Sequence, residues 1–147
     1  MRRMTKAEAR PIGITALSLF FLFGAGASFV SSISLLFPGS FLEPIWRLNP
    51  RGHEGLRALG PPAIVLMATV SLACLTAAAG LWRGRRWGQR TAAVILGVNA
   101  IADAVNGISA GDRRTLIGLP IAAAMLWYLY TPRVRGFFKR HEVTPAR

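Results

Sequence analysis

IGITALSLFFLFGAGASFVSSISLLF, residues 12–37, runs for 26 positions without a charged side chain. An α-helix rises 1.5 Å per residue, so about 20 apolar residues cross the hydrocarbon core of a bilayer. This run exceeds that length, which predicts a tilted helix or one bent at Gly24 or Gly26. Its flanks also resemble a secretory leader: Arg2, Arg3, Lys6 and Arg10 precede it, and Ala25-Gly26-Ala27 has the form of a cleavage site. The apolar core of a leader is about 7–15 residues long. Here apolar character continues through Phe29, Val30, Ile33, Leu35, Leu36 and Phe37, so an uncut helix is expected.

Outward from this run, three further apolar stretches follow. One covers residues 63–82 behind Pro61-Pro62, a pair suited to a first helical turn, whose N–H groups lack intrahelical partners. Another covers 91–109 and carries Asp103. The last covers about 115–130 and ends at Thr131-Pro132; it is short, so Arg113 and Arg114 are expected to snorkel to the interface, and Pro120 to bend the helix. Open strands are excluded in lipid because their backbone groups would go unpaired. The expected fold is all-α: a four-transmembrane-helix bundle forming a single membrane domain, 1–147. Its spans are 12–37, 63–82, 91–109 and 115–130, its outer loop 38–60, and its basic cytoplasmic tail 131–147. Composition agrees, with 52% hydrophobic and 16% charged residues and a mean hydropathy of +0.40. A soluble domain of this size needs more polar surface.

The net charge of +12 invites comparison with nucleic-acid binders, but the basic residues fall between the apolar runs, where membrane topology is encoded. No nucleic-acid partner is expected. The N-terminal segment, the 83–90 loop and the tail together hold thirteen Lys and Arg; the two opposite loops hold five (Arg47, Arg51, Arg57, Arg113, Arg114). Positive residues stay inside, which predicts both termini on the cytoplasmic face of a bacterial-type inner membrane. Trp82, Trp87, Trp127, Tyr128 and Tyr130 gather near that face, and Trp46 marks the outer one.

The 38–60 loop has structure of its own. Ser40 and Glu43 have capping-box spacing, and Phe41, Leu42, Ile45, Trp46 and Leu48 make a short helical segment apolar enough for the outer headgroup layer. Asn49-Pro50 reads as the cap of a second short helix bearing Leu56 and Leu59.

Three groups of residues are candidates for chemistry. Asn99, Asp103 and Asn106 are spaced i, i+4, i+7, which places them on one helical face inside the apolar zone. An ionised carboxylate there costs several kcal/mol unless it pairs, reaches water or takes up a proton. The face therefore serves either as a cation or proton site or as interhelical glue; the lack of a second intramembrane charge favours glue. Outside, His53, Glu54, Arg47 and Arg51 form a charged rim with Glu43 and Arg57. Arginine's planar fork suits phosphate or carboxylate, yet no second His follows His53 at i+4, so no metal site and no catalytic residue is expected. Cys74 is the single cysteine, which precludes an intramolecular disulfide and suggests a small buried hydrophobe. Gly24/Ser28, Ala73/Ala77 and Gly118/Ala122 are small-xxx-small pairs that let helices approach closely. No nucleotide-binding glycine motif occurs, and no cofactor is expected.

The connector Gly80-Leu81-Trp82-Arg83-Gly84-Arg85-Arg86-Trp87-Gly88 and the ending Tyr128-Leu129-Tyr130-Thr131-Pro132-Arg133-Val134-Arg135 resemble those of small uncharacterised bacterial four-helix integral membrane proteins. The resemblance implies a fold and carries no activity. The residues lead to a non-enzymatic accessory or interaction protein, a homo-oligomer or small subunit whose partners are the lipid bilayer and other membrane chains. The alternative is a small transporter or channel using Asn99, Asp103 and Asn106. A third possibility is a lipid-acting enzyme at the outer face.

Overall fold

The structure is a computed structural model and describes residues 10–109 and 117–143, apart from the side chains of Asn106, Ser109 and 141–143. The described residues are all-α, with six α-helices, one 3₁₀ segment and no strand: α1 (Ile12–Leu36), a 3₁₀ segment (Glu43–Leu48), α2 (Pro50–Leu59), α3 (Pro61–Trp82), α4 (Arg86–Ser109), α5 (Gly118–Leu129) and α6 (Pro132–Val143). Two of them, α1 and α3, are long and apolar enough to cross a membrane; α5 is apolar but 12 residues long.

The helices follow the sequence runs closely. α1 continues through Gly24 and Gly26 without a break, and α3 takes Pro61 and Pro62 into its first turn. α4 begins five residues earlier than its apolar stretch, because Arg86–Arg90 also wind as helix. α5 begins at Gly118, which places Pro120 in the first turn. Proline is tolerated in a first turn, where the N–H groups lack acceptors within the helix. Thr115, Arg113 and Arg114 lie outside the described residues.

Consecutive long helices pack side by side and antiparallel: α1 on α3, α3 on α4, α4 on α5. The α3–α4 reversal is made by Arg83-Gly84-Arg85. The N–H of Arg85 bonds to the Gly80 carbonyl (2.9 Å) and that of Gly84 to Leu81 (3.1 Å), a Schellman closure. Gly84 has φ +66°, a conformation that costs glycine nothing. The turn returns the chain so tightly that a Cβ on Gly80 would meet Gly88, and one on Gly88 would strike the Gly80 backbone.

The core sits at the end of the bundle where this turn lies. Ile14, Leu17 and Phe21 of α1 join Ala77 and Leu81 of α3, Ala92 and Leu96 of α4, and Leu129 of α5. Residues 132–143, which fall in the expected basic tail, fold as α6 and complete that core with Val134, Phe137 and Phe138. Their i, i+3, i+4 spacing forms one apolar stripe. Arg133, Arg135, Lys139 and Arg140 stay exposed on the other side.

Small residues are used within the chain. Ala25 and Ala77 are buried, a Cβ on Gly24 would touch the Cys74 sulfur, and Ser71 Oγ donates to the Ala25 carbonyl (2.8 Å). Ser32 Oγ donates likewise to Ile64 (3.2 Å), so α1 and α3 are joined along much of their length by backbone-directed hydroxyls.

Candidate functional site

Polar chemistry collects in three places. The first is a concavity of about 590 Å³ formed by the 3₁₀ segment and α2, lined in part by Glu43, Trp46, Arg47, His53, Glu54 and Arg57. Asn49 caps α2 as its sequence indicates: the side-chain oxygen accepts from the Gly52 N–H (3.0 Å), with Pro50 in the first turn. Gly60, with φ +66°, turns the chain from α2 into α3. Ser40 does not close a capping box. The Glu43 N–H bonds to the Ser40 backbone carbonyl (3.0 Å), Pro44 has no N–H to offer, and Glu43 Oε2 turns back to the Gly39 N–H (2.6 Å). Ser40 Oγ is left buried with no hydrogen-bond partner. The segment therefore winds as 3₁₀ rather than α.

Trp46 anchors this end of the bundle. Its ring is 8% exposed, its Nε1–H donates to Ser34 Oγ on α1 (2.9 Å), and it stacks on His53 with centroids 4.5 Å apart and planes 4° from parallel. An indole with its N–H satisfied inside the chain packs as core, so it does not serve as the free headgroup anchor that its position suggested. Phe41 (90%) and Leu48 (87%) remain outward as expected. Of the four rim candidates, Arg47, His53 and Glu54 share the concavity; Arg51 lies on α2 outside its lining. Glu43 pairs with Arg57 at 3.1 Å, Arg57 exposed and Glu43 partly so, a contact worth about 0–1 kcal/mol. Among the described residues no group of three potential metal ligands occurs.

The second place is the polar face of α4. Asn99 is exposed near the middle of the helix, and Asp103 is half-buried against α5, with its carboxylate over Gly118 so closely that a Cβ there would collide with it. Gly118 opens α5, so the carboxylate lies at the positive end of that helix's dipole. Asn106 is on α4, but its side chain is outside the described ones. Among the described residues no ion-pair partner faces Asp103.

The third place is the core-bearing end. Arg10 donates to the Trp82 carbonyl (2.6 Å) with its guanidinium 4.6 Å from the Trp82 ring centroid. Arg135 lies over Tyr130 (5.2 Å). Gln89, nearly buried, donates to the Leu129 carbonyl at the end of α5 (2.6 Å). With Arg83, Arg85, Arg86 and Arg90 in or beside the α3–α4 turn, the basic clusters that sequence separates converge on one end. Sequence reading passed over Gln89 and the apolar stripe of α6; the stripe was legible in its spacing, whereas the acceptor of Gln89 forty residues away was not.

No family model, curated protein or solved structure matches the chain.

Proposed function

We propose that the chain is a four-span integral protein of a bacterial-type cytoplasmic membrane, with both termini inside. In this reading it acts without catalysis as an accessory subunit that associates with copies of itself or with other membrane chains. Only 17% of the most apolar stretch of α1 and 28% of that of α3 is buried within the chain. A core helix of a soluble protein would be covered; these leave Leu22, Phe23, Phe29, Val65 and Leu72 outward, which suits hydrocarbon. α4 adds a uniform outward face of Val94, Val98, Ile101, Val105 and Ile108. Convergence of the basic clusters at one end supports the N-in, C-in orientation.

Asn99 carries the accessory reading. An exposed primary amide at mid-helix has two donors and an acceptor that hydrocarbon cannot satisfy, and a second membrane helix can. In lipid vesicles at low protein density the wild type is expected to migrate as more than one chain after cross-linking, and Asn99→Leu is expected to shift it to monomer while retaining its helicity. A wild type monomeric at every density, with no co-purifying membrane chain, defeats the proposal.

The transporter reading keeps one supporting observation, a half-buried carboxyl group on the same face as Asn99 that has no ion-pair partner among the described residues. Its test is flux: a wild-type, pH-driven or ion-driven current abolished by Asp103→Asn in folded protein would displace the accessory reading. In the concavity the His53 ring is stacked on Trp46 and Glu43 is paired with Arg57, so the third possibility has the least support.

A further inference from the structure

An apolar groove of about 360 Å³ runs between α1 and α3 at the core-bearing end. Its walls are Leu19 and Leu22 of α1 and Leu75 and Trp82 of α3, Ala79 lines it as a small residue, and Arg83 stands at its mouth. We propose that this groove is a binding site for one anionic phospholipid, an acyl chain lying along the leucines and the phosphate on the Arg83 guanidinium. The inference rests on the membrane reading above.

Three features set the groove apart from the rest of the apolar surface. It is concave because a methyl group at Ala79 sits where neighbouring positions carry leucine or tryptophan. It has a fixed wall, since the guanidinium of Arg10 against the Trp82 ring and its bond to the Trp82 carbonyl hold residue 82 and Arg10 together. Its mouth carries a cation: Arg83 is exposed, and no described hydrogen bond or ion pair engages it. A guanidinium presents a planar fork that matches a phosphate bidentately. The site lies at the end where Arg85, Arg86, Arg90 and the exposed face of α6 raise the local positive potential, and the cytoplasmic leaflet is the one rich in anionic lipid. Shape and charge thus agree on a lipid that lays one acyl chain in the groove and sets a net-anionic head at its mouth; a phosphatidylcholine of the same chains offers the same phosphate but cancels its charge with choline.

The test uses full-length protein in neutral detergent, titrated with phosphatidylglycerol or with phosphatidylcholine of identical acyl chains and read by native mass spectrometry. One saturable phosphatidylglycerol adduct is expected, about tenfold tighter than any phosphatidylcholine adduct, because both offer the phosphate but choline adds a cation that the surrounding arginines repel. Arg83→Gln should remove that preference. Ala79→Phe, which fills the groove and leaves Arg83 in place, should abolish the adduct; Leu22→Trp serves as a second obstruction if Ala79→Phe loses helicity. Arg135→Gln, a basic residue at the same end but outside the groove, should bind as the wild type does. Equal loss in Arg83→Gln and Arg135→Gln means diffuse electrostatic attraction and overturns the site, as does an unchanged adduct in both obstructed variants. Retention in carbonate-washed membranes is scored separately, so failure of the lipid site is distinguishable from failure of the membrane reading.

Discussion

Asp103 and Gly118 show how one missing methyl admits a carboxyl group between helices. Since any Cβ at position 118 would overlap the carboxylate, Gly118→Ala is expected to destabilise the fold by about 1–3 kcal/mol, the usual cost of overpacking. In an Asp103→Ala background the same change should cost much less, and a double-mutant cycle from thermal unfolding in detergent measures the difference. Equal costs in both backgrounds would mean that the two positions do not meet. A second contrast concerns two serines. Ser34→Ala strands the buried Trp46 N–H and should cost about 1–3 kcal/mol, whereas Ser40→Ala removes a hydroxyl with no partner and should stay within about 0.5 kcal/mol. A loss of about 1 kcal/mol at Ser40 would restore the helix-capping role that its spacing suggests.

Helix pairs are defined by their closest points. α3 and α4 meet where neither Gly80 nor Gly88 tolerates a side chain, so Gly88→Val should separate them and lower the melting temperature, while Gly97→Ala on the same helix, with open space around it, should be neutral or slightly stabilising through helix propensity. Comparable loss at both positions would refute the close α3–α4 contact. α6 is a different case, because its apolar stripe closes the core. Phe138, fully buried, should cost about 3–5 kcal/mol on truncation to Ala. Arg133→Ala on the exposed side should fall within about 0.5 kcal/mol. If Phe138→Ala were as mild, α6 would be a surface appendage and not part of the core.

For the molecule as a whole, the arrangement of ends is the testable quantity. In a Cys74→Ala background, Gly55→Cys in α2 should label from outside with an impermeant thiol reagent, and Arg85→Cys and Lys139→Cys only after permeabilisation. Reversed accessibility would invert the orientation; labelling at all three sites in intact cells would remove the membrane reading altogether. The converging clusters also imply that anionic lipid should raise the melting temperature of reconstituted protein more at low than at high salt, because exposed charges are screened beyond about 10 Å at 0.1 M.

The residues themselves carry everything that depends on local periodicity: helix class, the start of α3 at its prolines, the cap of α2 by Asn49, and the segregation of basic residues between apolar runs. These are short-range, since backbone geometry and burial repeat within a few residues. α6 is legible in the same way, through the spacing of Val134, Phe137 and Phe138, although four basic residues on its other face mask that stripe in the composition. What needed tertiary structure is long-range. Nothing near Trp46 announces that its indole reaches Ser34, nothing near Asp103 announces a glycine fifteen residues on, and Ser40 loses its capping partner to a backbone carbonyl in a turn that the pattern alone does not distinguish from a helix start. A groove between Leu19 and Leu75 exists only once α1 and α3 lie side by side. Such features arise where non-adjacent segments compete for the same space and the same hydrogen bonds, and that competition is decided by the packed chain.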